Sequence, residues 1–175
     1  MRRPRHFCFH PSGELAVLIN ELGSVVTPLR VDKSSGALSL AGASVSTLPD
    51  DWAAATAARQ ATTAMFTERE NLISHCAHVA MHPNGRFAFG SNRGHDSIAT
   101  FAVDHAAGTL TRTAITATGG ETPRNFQIDA TGRLLLVGNQ DSDSIVAFAI
   151  DGASGALRPT GMTYQAPSPV ALCFV

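Results

Sequence analysis

His10-Pro11-Ser12-Gly13 returns as His82-Pro83-Asn84-Gly85 and, in degenerate form, as Asp129-Ala130-Thr131-Gly132. Ten residues past the start of each copy stands an asparagine: Asn20, Asn92 and Asn139. Twenty-one residues past it stands a β-branched residue followed by aspartate, in Val31-Asp32, Val103-Asp104 and Ile150-Asp151. A second turn then ends in Gly36, Gly108 or Gly155, with leucine two residues on at Leu38, Leu110 and Leu157. Four markers in constant register across three copies define an internal repeat.

The segments between the markers are short, apolar or alternating, and bounded by Gly, Asn, Asp or Pro: Leu15 to Ile19, Val25 to Val31, Ile98 to Val103, Leu134 to Val137 and Ile145 to Ile150. That is strand patterning, and none of them holds a helical period over ten residues. Each unit reads as four short antiparallel strands, and the 47-residue spacing of the last two copies suits one β-propeller blade. The predicted architecture is all-β: about three blades (4–49, 75–121 and 122–166) and a final strand at 167–175. The last piece, Pro169-Val170-Ala171-Leu172-Cys173-Phe174, matches Pro4-Arg5-His6-Phe7-Cys8-Phe9. The first two copies lie 72 residues apart, which places an insertion at about 50–74, expected as a partly helical or mobile excursion.

Propellers close into rings of four to eight blades, so three blades leave sheet faces open. The expectation is a fragment whose missing N-terminal half completes the ring, or a chain that self-associates. The remaining bulk properties narrow the class. A net charge of −1 advertises no nucleic-acid or anionic-membrane partner, and no run of apolar residues is long enough to span a bilayer. Three widely spaced cysteines, Cys8, Cys76 and Cys173, read as thiols in a reducing, cytoplasmic setting.

Antiparallel topology sorts the loops onto two faces. The entry to strand one and the link between strands two and three emerge together, and there the repeat varies. The entry position holds Arg5, Ala77, Arg124 or Val170; the next holds His6, His78 or Asn125; the position after the marker asparagine holds Glu21, Arg93 or Gln140. Charged groups diversified on a fixed scaffold are what a grafted site looks like. On the opposite face His10 and His82 read as turn caps, and His105 as an exposed turn residue. Asp96 is expected to bond its own loop backbone. His75, Cys76 and His78 lack the partner spacing of a metal centre, and no phosphate loop or nucleophile elbow occurs.

The chain resembles the seven-bladed lactonase propellers, a family that includes propeller-type 6-phosphogluconolactonase and carboxy-muconate cyclase. The resemblance rests on Pro4-Arg5-His6-Phe7-x-Phe9-His10-Pro11, Asn20-Glu21-Leu22, Ser91 to Ile98, Thr122-Pro123-Arg124-Asn125-Phe126, Asn139 to Asp143 and Pro167 to Val170. It implies hydrolysis of a small anionic sugar lactone, or the related cyclisation, with no metal or other cofactor. It also implies a catalytic set of Glu21 as general base with Arg5 and Arg93, and Arg124, His6, His78 and Gln140 as substrate contacts. The family's histidine belongs to an earlier blade, and His78 stands where the family carries an acidic residue. A non-catalytic propeller serving as a protein-binding platform is the competing reading, in which Glu21, Arg5 and Arg93 simply neutralise one another.

Overall fold

The computed structural model describes residues 3–54 and 74–174. Three antiparallel sheets follow one another along the chain. The first blade holds β1 (Pro4–Phe9), β2 (Leu15–Asn20), β3 (Val25–Val31) and a fourth strand in two pieces, β4 (Leu38–Leu40) and β5 (Val45–Ser46), both paired with β3. The second holds β6 (His75–Met81), β7 (Phe87–Arg93), β8 (Ser97–Asp104) and β9 (Thr109–Ala117). The third holds β10 (Pro123–Ile128), β11 (Leu134–Asn139), β12 (Ser144–Ile150) and β13 (Leu157–Gln165). Each is a simple up-and-down meander, as the repeat predicts.

The repeated markers are the turns themselves. In each unit the amide of Gly13, Gly85 or Gly132 donates to the carbonyl of His10, His82 or Asp129, at 2.8, 2.9 and 2.9 Å. Gly36, Gly108 and Gly155 close the second turn onto Asp32, Asp104 and Asp151. The marker asparagines are buried, and two of them reach across blades. Asn92 Nδ2 donates to Thr47 O at 2.9 Å, and Asn139 Nδ2 lies 3.5 Å from Thr118 O. The repeat thus serves joints between blades as well as turns within them.

The histidines of the turns have the same double use. His82 accepts the amide of Asn84 at Nδ1, which caps its own turn, while Nε2 meets Gly132 O of the third blade at 2.8 Å. A neutral ring that accepts at Nδ1 donates from Nε2. His10 caps Ser12 in the same way, and its ring packs on Gly85 of the second blade. His105, expected to be exposed, instead stacks on His10 with ring centroids 4.4 Å apart and bonds Ser12 Oγ at 2.9 Å. Its turn lies beside the first blade because Arg30 holds its carbonyl at 2.9 Å.

The core is two interfaces rather than one centre. Val17, Ile19 and Val26 of the first blade pack on Cys76, Val79, Ala88, Ala99 and Phe101 of the second. Phe87, Phe89 and Ile98 of the second pack with Phe126, Leu135, Val137 and Phe148 of the third. Covered on both sides, β7 is buried from Phe87 to Asn92, whereas β12 alternates buried and half-buried residues. The outer faces of the terminal blades stay open, with Phe7 59%, Phe9 53% and Leu40 75% exposed on one, and Met162 and Tyr164 70% on the other.

One further expectation changes. The segment Pro169–Phe174 forms no strand. In every blade the first strand is held by its own second strand, and among the described residues this segment pairs with no strand. It is tethered instead by Leu172 N to Asn125 Oδ1 at 3.0 Å. The insertion opens with helical residues at 50–54, in keeping with the partly helical excursion expected; its remainder, 55–73, lies outside the described residues.

Candidate functional site

The loops entering strand one and linking strands two and three do share a face, and their charged residues meet there. Glu21 is fixed at its backbone from two sides, donating its amide to Arg3 O at 2.7 Å and accepting that of Cys76 at 3.1 Å. Its Oε1 then takes Arg5 Nη1 at 2.8 Å and Arg93 Nη2 in a second, closer contact. Arg5 is anchored across the blade joint by Nε to Ala77 O at 2.8 Å. One carboxylate thus bridges guanidiniums from two blades.

This arrangement carries surplus positive charge. Burial acts to raise the Glu21 carboxyl pKa, but the Arg93 hydrogen bond and the charges of Arg5 and Arg93 outweigh it and hold it below the ordinary value. Arg5 is pulled below its own ordinary value by burial first, then by Arg93, against the pull of Glu21. Arg124 adds to the same field at Arg5, and its Nη1 donates to Gln140 Oε1 at 3.3 Å. Arg93 Nε is buried with no partner among the described residues, a donor whose cost is about 1–3 kcal/mol while it stays unused.

His6 and His78 meet next to the triad. Their Nδ1 atoms are 2.8 Å apart and the rings stand edge-on, with His78 also edge-on to Phe126 of the third blade. Burial, then His6 and Arg5, push the His78 pKa down to about 4. Burial and then Arg5 lower that of His6.

All seven residues singled out in the sequence therefore lie on one face: Arg5, Glu21 and Arg93 as a triad, His6 with His78, and Arg124 with Gln140. The sequence reading missed His75 as a member. It pairs in register with Arg93 and lies in the field of Arg93, Glu21 and Arg5. The signal was available, since His75 precedes the strand-one entry position by two residues, where Arg3 and Thr122 stand in the other units. Cys76 turns inward, 3.1 Å from Thr47 Oγ1 and 3.5 Å from Asn92 Oδ1. Asp96 bonds its own loop at Gly94 N, as expected, and also the Thr122 amide of the next blade at 2.8 Å. The root of the insertion touches this face as well, through Trp52 edge-on to His95 with centroids 4.6 Å apart.

Comparison with known proteins accounts for the repeat. The family model described as lactonase, seven-bladed β-propeller, matches residues 3–174. The chain belongs to that family. A 6-phosphogluconolactonase of Bacillus subtilis is 34% identical over 128 residues, covering 73% of this chain and 31% of that protein. A solved structure from Bacteroides fragilis superposes with a TM-score of 0.81 at 31% identity, covering 98% of this chain and 42% of the other. The periplasmic gluconolactonase PpgL of Pseudomonas aeruginosa gives 0.76 at 28% identity, covering 94% and 40%. The lactonase propeller chain thus spans about a third of the length of the curated relatives it matches.

Proposed function

We propose that this lactonase propeller chain carries part of the site of an enzyme that hydrolyses a small anionic sugar lactone, 6-phosphogluconolactone being the leading candidate. The observation that carries the reading is the Arg5–Glu21–Arg93 triad, which crosses two blades and keeps surplus positive charge on the face where Arg124 also lies. Guanidiniums bind phosphate and carboxylate in two-pronged fashion, and donors fixed in advance stabilise the oxyanion formed as water adds to the lactone carbonyl. Four relatives named 6-phosphogluconolactonase support the substrate class.

The triad also bears on Glu21 itself. A carboxylate whose basicity is lowered by two arginines is a weak proton acceptor, so its stronger use is to aim the guanidiniums. The platform reading draws on the same mutual pairing, and kinetics separate the two. Hydrolysis of 6-phosphogluconolactone, followed by acid release in weak buffer, is expected to fall about 10²-fold or more in Glu21→Gln. Equal rates for the two proteins remove the triad from the chemistry, and no turnover by either favours the platform.

A further inference from the structure

Lactone opening needs a proton taken from water and a proton given to the departing ring oxygen. The triad supplies charge, and its one carboxylate is tied to both guanidiniums. The pair beside it has the missing property. Two neutral imidazoles joined through Nδ1 must hold opposite tautomers, because one Nδ1 donates and the other accepts. The donor ring then has a bare, basic Nε2, and the acceptor ring has an Nε2–H. One hydrogen bond thus leaves the pair with a base at one outer edge and an acid at the other.

We propose that His6 and His78 form a two-histidine proton relay serving the lactone site, an inference that rests on the function proposed above. Water attacks the lactone carbonyl carbon as its proton passes to the bare Nε2 of one ring. The proton of the central Nδ1–H···Nδ1 bond shifts to the second ring, which gives up its Nε2 proton. The ring C–O bond breaks with its electron pair on oxygen, and that oxygen takes the proton. One water is consumed and one hydroxy acid is formed. The pair ends with its tautomers exchanged and is reset through solvent.

The surroundings fit this use. Arg5 is the charge that acts on both rings, and Glu21 and Arg93 act on Arg5 in turn. From the third blade the ring that meets His78 is the uncharged Phe126. Burial and the Arg5 charge both favour the neutral form of the two rings, as tautomer exchange requires. The relay runs along the same joint between β1 and β6 that Arg5 crosses to Ala77 O, so the proton path and the anion-binding groups share a rigid frame.

The test uses His6→Asn and His78→Asn in the full chain. Asparagine reproduces the Nδ1 position but offers nothing at Nε2, and the repeat already carries Asn125 at the equivalent place. Each variant is expected to lower kcat on 6-phosphogluconolactone about 10²-fold or more with little change in KM, and to abolish the acid limb of the pH–rate profile. Arg93→Lys is expected to raise KM and keep that limb. Imidazole ¹⁵N spectra of the wild type are expected to show one ring protonated at Nδ1 and its partner at Nε2. Matching tautomers, or active variants with an unchanged profile, overturn the relay alone. A wild type without lactone turnover overturns the proposed activity and the relay with it, whatever the spectra show.

Discussion

The joint between His82 and Gly132 lends itself to a quantitative test, because the fold contains its own control. Gly132 ends a first turn and Gly36 a second, and both hold the same left-handed backbone, with φ of +71° and +72°. A methyl group on Gly36 meets nothing within 4 Å, whereas on Gly132 it comes to 2.5 Å from the His82 ring. Gly36→Ala bears only the left-handed backbone cost, about 1–2 kcal/mol, offset in part by the stiffer unfolded chain, for a net of about 1 kcal/mol. Gly132→Ala bears the same cost and also drives the ring aside. That breaks the buried 2.8 Å bond to Gly132 O. An unpaired buried group costs about 1–3 kcal/mol and forced repacking a similar amount, so a total near 4 kcal/mol is expected. Urea unfolding followed by far-UV circular dichroism reads both. In a His82→Ala background the obstacle is gone, and the gap between the two glycine variants is expected to close to within about 0.5 kcal/mol. Equal losses in the wild-type background, or a gap that persists without the ring, would refute the joint.

Two further outcomes follow from the same structure. The His78 pKa is depressed from 6.5 to about 4, so between those values the unfolded chain binds more protons than the folded one. Stability is therefore expected to be full above about pH 6.5 and to fall by about 2 kcal/mol, after allowance for partial exposure, as pH drops toward 4. Thermal melts from pH 7 to 4.5 check this, and His78→Asn is expected to flatten the slope. The open faces at Phe7, Phe9 and Leu40, and at Met162 and Tyr164, are expected to drive association, read as solution mass by light scattering. Replacing Phe7 and Leu40 by serine and threonine is expected to reduce it, and an unchanged monomer mass for both proteins counts against those faces.

The three sheets were legible because turn chemistry repeats at fixed intervals. Gly13, Gly85 and Gly132 each need a positive φ, and Asp32, Asp104 and Asp151 each anchor a second turn, so spacing alone located the first and third hairpins of each blade. Sorting variable positions by loop direction also brought Arg5, Glu21 and Arg93 to one place, since loop direction follows from strand order. What spacing cannot encode is which atom meets which across a joint. That is why His10, His82 and His105 read as local turn residues although all three contact a neighbouring blade. Likewise His6 and His78 could be assigned to a face but not to each other. The final segment misled for a related reason: Pro169–Phe174 has the sequence of a first strand, and strand formation depends on a partner that sequence similarity does not supply.

Those turn histidines have a direction. His10 reaches forward to the glycine of the second blade, and His82 to that of the third, but the matching position in the third blade is Asp129. Its carboxylate is turned inward, accepting the amides of Arg133 and Leu134 within its own hairpin. The units therefore share a scaffold without being exchangeable modules. A duplicate of the second blade placed after itself would meet the coupling it was built for, whereas a duplicate of the third would present an aspartate that has nothing to offer the next glycine. Blade order is written into the couplings, one residue per joint.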